Sequence, residues 1–89
     1  MKKIKLTGRE IATLRAIDFS IGTKGSEIAE HTRICMEDLA DILNGLMEGG
    51  FVETEPASHS VSLAELPATH FEVNPSYALD LKEAMTKRY

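Results

Sequence analysis

The sequence predicts an α+β fold, mostly α, as one domain over residues 1–89. Three observations carry that expectation. Thr7-Gly8-Arg9-Glu10 is a capping box, in which hydroxyl and carboxylate satisfy free backbone donors at the head of an apolar helical stripe. A longer stripe over residues 36–48 stops at Gly49-Gly50, because glycine takes the left-handed cap conformation at little cost. Two short segments, residues 51–55 and 69–73, read as strands, the second with clear period-two alternation. The expected order is three helices, a two-stranded hairpin with a long loop, and a C-terminal helix.

Residues 1–6 are a basic arm. The first helix is expected over residues 7–18, with Ile11, Leu14, Ala16 and Ile17 on its inner face. The pattern fades at Phe19-Ser20-Ile21, and Gly22 serves as a stop. Thr23-Lys24-Gly25-Ser26 is a start signal with a hydroxyl available as cap. A short second helix over 25–31 follows, with Ala29 as its small inner residue, and Thr32-Arg33-Ile34 makes a tight turn. The third helix, 36–48, carries Leu39, Ile42, Leu43, Leu46 and Met47.

Pro56 closes the strand at 51–55. The connection 56–68 has an apolar middle of Val61, Leu63 and Leu66, with a helical turn at 62–66. Those three side chains either cover the sheet or form a patch for a partner. After the strand at 69–73, Asn74-Pro75 starts the C-terminal helix, 75–87, with asparagine as cap and proline at the first helical position. Its Tyr77, Leu81 and Met85 are available to pack on the first helix or on a second copy.

Composition narrows the function classes. At 89 residues the chain buries only about 60% of its unfolded surface, so its core is small. Cys35 is the single cysteine, which excludes an internal disulfide. No apolar run approaches the ~20 residues of a membrane span. The basic start is followed by no signal-peptide stretch, so a cytoplasmic location is expected. No serine–histidine–acid set, glycine-rich phosphate loop or metal-ligand spacing stands out. Neither catalysis nor a cofactor or metal is expected.

The element order, together with four phrases, resembles the winged helix-turn-helix superfamily, nearest to small MarR-like transcriptional regulators. The phrases are Leu6-Thr7-Gly8-Arg9-Glu10-Ile11, Ser26-Glu27-Ile28-Ala29, the run from Leu39 through Leu43 and Leu46 to Gly50-Phe51-Val52, and Phe71-Glu72-Val73-Asn74-Pro75. The resemblance covers nearly the whole chain. It implies that residues 51–55 and 69–73 form the wing, that the protein acts in transcription regulation, and that the third helix reads DNA in a homodimer. Two features depart from it. The flanks are too short for the long dimerisation helices of MarR-like proteins, and the charges lie in the wrong places.

Every lysine and arginine lies at one of the chain's ends. Lys2, Lys3, Lys5, Arg9, Arg15, Lys24 and Arg33 precede Ile34, and Lys82, Lys87 and Arg88 follow Leu81. Between them are nine acids, including Glu37, Asp38, Asp41, Glu48, Glu53, Glu55 and Glu72. Helix-turn-helix readers present the start of their second helix to base edges. Here that start carries Met36, Glu37, Asp38, Asp41 and Ile42. Carboxylates there oppose a phosphate backbone with one charge per about 1.7 Å. Glu37 and Asp38 are also good helix starters through the helix dipole, a reading that leaves Asp41 and the missing wing cations unexplained. The sequence therefore points to protein–protein contacts through Glu37, Asp38, Asp41, Glu48, Glu53 and Glu55. The partner would be a protein with a basic surface or a second copy of the chain. The alternative is DNA binding through Lys2, Lys3, Lys5, Lys24 and Arg33. Cys35, at the start of the third helix, is either a redox sensor or a small turn residue. His59 and His70 flank the wing loop without a recognised ligand spacing.

Overall fold

Thr7 heads the first helix in the way its sequence predicts. In a computed structural model of the chain, which describes residues 4–86, the Thr7 hydroxyl accepts from the Glu10 amide at 3.1 Å. The Glu10 carboxylate in turn accepts from the Thr7 amide at 2.8 Å. The helix, α1 (Gly8–Arg15), ends three residues before the expected boundary at 18. The cause is Asp18. Its carboxylate accepts from the amides of Ser20 and Ile21, and its own amide donates to the Thr23 hydroxyl. This side-chain turn draws the chain out of helix before Gly22 is reached.

Thr23 is thereby unavailable to cap the second helix. Instead, Thr23–Lys24 forms a short strand, β1, and the cap position of α2 (Gly25–Thr32) is Lys24, without a side-chain bond. The expected two-stranded hairpin is corrected to a three-stranded antiparallel sheet in the order β1-β3-β2, with β2 at Val52–Glu55 and β3 at His70–Val73. Thr23 pairs with Phe71 and Lys24 with His70. On the other side of β3, Val52 faces Val73, Glu53 faces Glu72, Thr54 faces Phe71 and Glu55 faces His70. A two-residue strand has no period to read, so its pairing came only from the fold. The other two strands each start one residue later than expected.

The ladder of β1 runs directly into α2. The Gly25 amide donates to the Thr69 carbonyl at 2.9 Å. A β-carbon at Gly25 would collide with the carbonyl oxygen of Leu66, so only glycine lets the helix start this close to the 3₁₀ turn Leu66–Ala68. α2 runs one residue beyond its expected end. Arg33 then turns the chain with φ of 59°, and after Cys35 comes α3 (Met36–Glu48), with the boundaries its stripe predicts. At its end Gly50 takes φ of 84°. The Phe51 amide donates to Leu46 and the Gly50 amide to Met47, closing a Schellman motif.

The connection between β2 and β3 divides into two parts. Val61 is pinned to α3: its amide donates to Asn44 Oδ1 at 2.8 Å, and its carbonyl accepts from Asn44 Nδ2 at 3.0 Å. The expected helical turn forms, headed by reciprocal bonds between Ser62 and Glu65. Val61 and Leu66 join the core, whereas Leu63 is exposed. The C-terminal helix begins with a 3₁₀ turn, Pro75–Tyr77, before α4 (Ala78–Thr86). Its expected end at 87 lies outside the described residues. Asn74 caps it by accepting from the Ser76 amide, and ties it to the end of α3 by donating to the Gly50 carbonyl. Tyr77 meets Phe51 edge-on at 5.0 Å. Leu81 and Met85 are buried, the Arg15 guanidinium donates to the Met85 carbonyl, and Lys82 lies over the Phe19 ring. Buried apolar side chains of all four helices and of β2 and β3 belong to one cluster, of which Phe71 is the largest fully buried member.

Two glycine substitutions are expected to act in opposite directions. Gly25→Ala forces α2 away from the Leu66 backbone and costs about 1–3 kcal/mol, the usual range for overpacking. Gly8→Ala, where the added methyl meets nothing within 4 Å, stabilises α1 by about 0.4–1 kcal/mol. Urea unfolding midpoints of the two variants check both signs.

Candidate functional site

The acidic residues of α3 fall into two groups. Glu37, Asp41 and Glu48 are exposed, and spacings of four and seven residues place them on one stripe. Asp38 stands one step around the helix and is not free. Its Oδ2 lies 2.9 Å from Arg9 Nη1 of α1. The Arg9 guanidinium holds the Asp38 carboxyl below the ordinary carboxylate range. Residues 29 apart in sequence make this pair, so no local signal announced it. Both partners are largely exposed, which leaves the bridge weak and salt-sensitive.

The hairpin continues the acidic surface. Val52, Thr54, Phe71 and Val73 point into the core, so Glu53, Glu55, His70 and Glu72 share the outer face. Glu53 stands directly across from Glu72, an arrangement of like charges that weakens the pair. His70 lies beside this pair on the same face. Its Nε2 lies 2.9 Å from the Ile21 carbonyl oxygen and 3.4 Å from a Glu72 carboxylate oxygen, so the ring holds the 18–22 turn against β3.

Between α3 and the hairpin runs a groove of about 820 Å³. One wall is Asn44, Met47 and Glu48; another is β2; residues 57–60 close a third side, and Glu72 borders it. Four of its lining residues are glutamates, namely Glu48, Glu53, Glu55 and Glu72. The fold thus brings together three expected contact residues, Glu48, Glu53 and Glu55, and adds Glu72. The period-two strand was the signal for Glu72, because it placed residue 72 on the outer face. Glu37 and Asp41 extend the same helix stripe beyond the groove.

The cations of the alternative set are dispersed. Lys24 and Arg33 flank α2 at its two ends, and Lys5 precedes α1; all three are exposed. Lys2 and Lys3 lie outside the described residues. Cys35 is exposed at the α3 cap position. Among the described residues no three His, Cys, Asp or Glu side chains gather around a metal position, His59 and His70 included. No helix among them is long and apolar enough to cross a membrane.

Removing the guanidinium in Arg9→Ala is expected to raise the pKa of the Asp38 carboxyl toward the ordinary range, leaving only the smaller lowering by the Cys35 side chain. The sign follows from linkage: a carboxylate with a depressed folded-state pKa adds stability above its unfolded pKa and loses it as pH falls through the folded value. The native protein therefore loses this contribution on acidification, and the variant has less to lose. A carboxyl carbon NMR titration of Asp38 reads the shift directly.

No protein-family model, no curated protein and no solved structure matches this chain.

Proposed function

We propose that this chain is a winged helix-turn-helix regulatory or adaptor protein. It acts in transcription-related regulation through protein contacts of its third helix and wing. The element order supports the fold assignment: α1, β1, α2, a short turn, α3, then β2 and β3 as the wing, and a closing helix. In that assignment α3 is the recognition helix of the helix-turn-helix, and residues 56–68 are the wing loop.

One observation carries the functional reading. The exposed face of α3 and the outer face of the hairpin carry Glu37, Asp41, Glu48, Glu53, Glu55 and Glu72, and no lysine or arginine occurs from residue 34 to residue 81. A field of one sign steers a partner of the opposite sign and rejects polyanions. The partner is therefore a protein with a basic surface, or the basic side of a second copy. The alternative, a dimeric MarR-like DNA-binding regulator, draws on the exposed positions of Lys24 and Arg33 around α2.

Fluorescence anisotropy separates the two. A labelled oligolysine peptide is expected to bind, more tightly at low salt, and to lose binding in the triple variant Glu37→Lys, Asp41→Lys, Glu48→Lys. Asp38 is left intact because a lysine there would face Arg9. A labelled mixed-sequence DNA duplex is expected to show none of the non-specific affinity, about 10⁻⁴–10⁻⁶ M, of ordinary DNA binders. Salt-sensitive duplex binding that falls in Lys24→Ala and Arg33→Ala would establish the alternative.

A further inference from the structure

Asn44 is followed directly by Gly45. Asparagine is chemically labile, because the next backbone nitrogen can attack its side-chain amide, and a following glycine leaves that nitrogen unhindered. The pair lies in α3, and Asn44 lines the groove. Two constraints hold it inert. Gly45 is well inside α3, so its N–H is committed to the Asp41 carbonyl in the helix ladder. The Asn44 amide is held by Val61: Oδ1 accepts from the Val61 amide at 2.8 Å, and Nδ2 donates to the Val61 carbonyl at 3.0 Å. Only a group with both a donor and an acceptor makes this pair of bonds. Gly45 itself is not demanded by the fold, since a β-carbon there would meet nothing within 4 Å and its φ is not positive.

We propose that Asn44-Gly45 is a self-modifying site, silent while α3 and Val61 hold the amide and reactive when they part. The Gly45 nitrogen attacks Asn44 Cγ and gives up its proton. The Cγ–Nδ2 bond breaks, and the nitrogen leaves as ammonia, taking up a proton in exchange. Water then opens the resulting cyclic imide at either carbonyl, to aspartate or to isoaspartate. Neither product remakes the joint. Aspartate still accepts from the Val61 amide but has no hydrogen for the Val61 carbonyl, and Val61 is buried, so the unpaired carbonyl is costly. The new carboxylate also stands four residues from Glu48 on the same helix face, an unfavourable spacing for like charges. Isoaspartate inserts a carbon into the main chain and breaks the ladder of α3. In both products residues 57–60 lose their anchor, and the groove they close opens on that side. The change is one-way, so an opening of the joint is fixed as a permanent negative charge.

The test ages the full chain at mildly alkaline pH, once folded and once in urea, and follows intact mass and isoaspartate by peptide mapping. The unfolded chain should gain one mass unit at Asn44. The folded chain should do so at least about tenfold more slowly, because reaction then tracks the population of the open form. In Gly45→Ala the added methyl has free space in the fold, and the reaction in urea should slow several-fold, because the methyl crowds the attacking nitrogen. Equal rates for folded and unfolded chain overturn the silencing. No modification at Asn44 in urea, or no slowing in Gly45→Ala, overturns the site. The release is read in Asn44→Asp, where hydrogen exchange at the Val61 amide should be faster than in the native chain; unchanged exchange there overturns it. The ageing measurements need no substitution at Asn44 and decide the site even if that variant does not fold. Protein modified during ageing, separated by its extra charge, then supplies the same exchange measurement.

Discussion

The close approach of Gly25 to the Leu66 backbone is the contact on which the arrangement depends. It lets the Gly25 amide complete the β1–β3 ladder at Thr69 while α2 starts against the 3₁₀ turn. The sheet and the helix pair are thus joined through backbone, which leaves little freedom in their relative position. Ile28 of α2, Leu66 of the turn and Phe71 of β3 are all fully buried in the same cluster. α3 then packs against α1, and its Schellman motif delivers the chain into β2 at a defined angle. The groove between α3 and β2 is a consequence of that geometry.

The polar bonds around the groove position its walls. Asn44 uses both ends of its amide on Val61, so the loop that closes the groove is held to the helix that forms its opposite wall. Asn74 links the end of the hairpin to the end of α3 through Gly50. Each asparagine amide is engaged at both its oxygen and its nitrogen, and the carboxylates that border the groove are its four glutamates. The Arg9–Asp38 pair has a different role. It joins α1 to the first turn of α3 and removes one carboxylate from the acidic stripe, so the free acidic surface is narrower than the run of acids suggests.

Local signals were legible wherever a short stretch satisfies its own backbone. The capping box at Thr7 and Glu10, the Asn74-Pro75 start and the Gly49-Gly50 stop all appear as read, because each bond spans only a few residues. The α3 stripe and the outward position of Glu53, Glu55 and Glu72 were legible for a similar reason: helix and strand periods assign faces without knowledge of the neighbour. The end of α1 was misjudged because Asp18 competes for the backbone at a point where apolar spacing still favours helix. A carboxylate that accepts two amides outweighs a weak stripe.

The order and faces of the longer elements, the α+β class and the separation of charge along the chain follow from the residues alone, since each depends on spacing or on composition. β1, the three-stranded sheet, the Arg9–Asp38 bridge and the seating of Val61 and Leu66 in the core do not. Each joins segments many residues apart, and two residues of strand or one surface acid carry no pattern that names a distant partner. The outer position of β2 in the sheet belongs with these. A strand's own sequence marks which side chains face in and out, but which of its amides are left unpaired depends on the ladder phase and on which neighbours it acquires. Both are settled when the chain closes around Phe71.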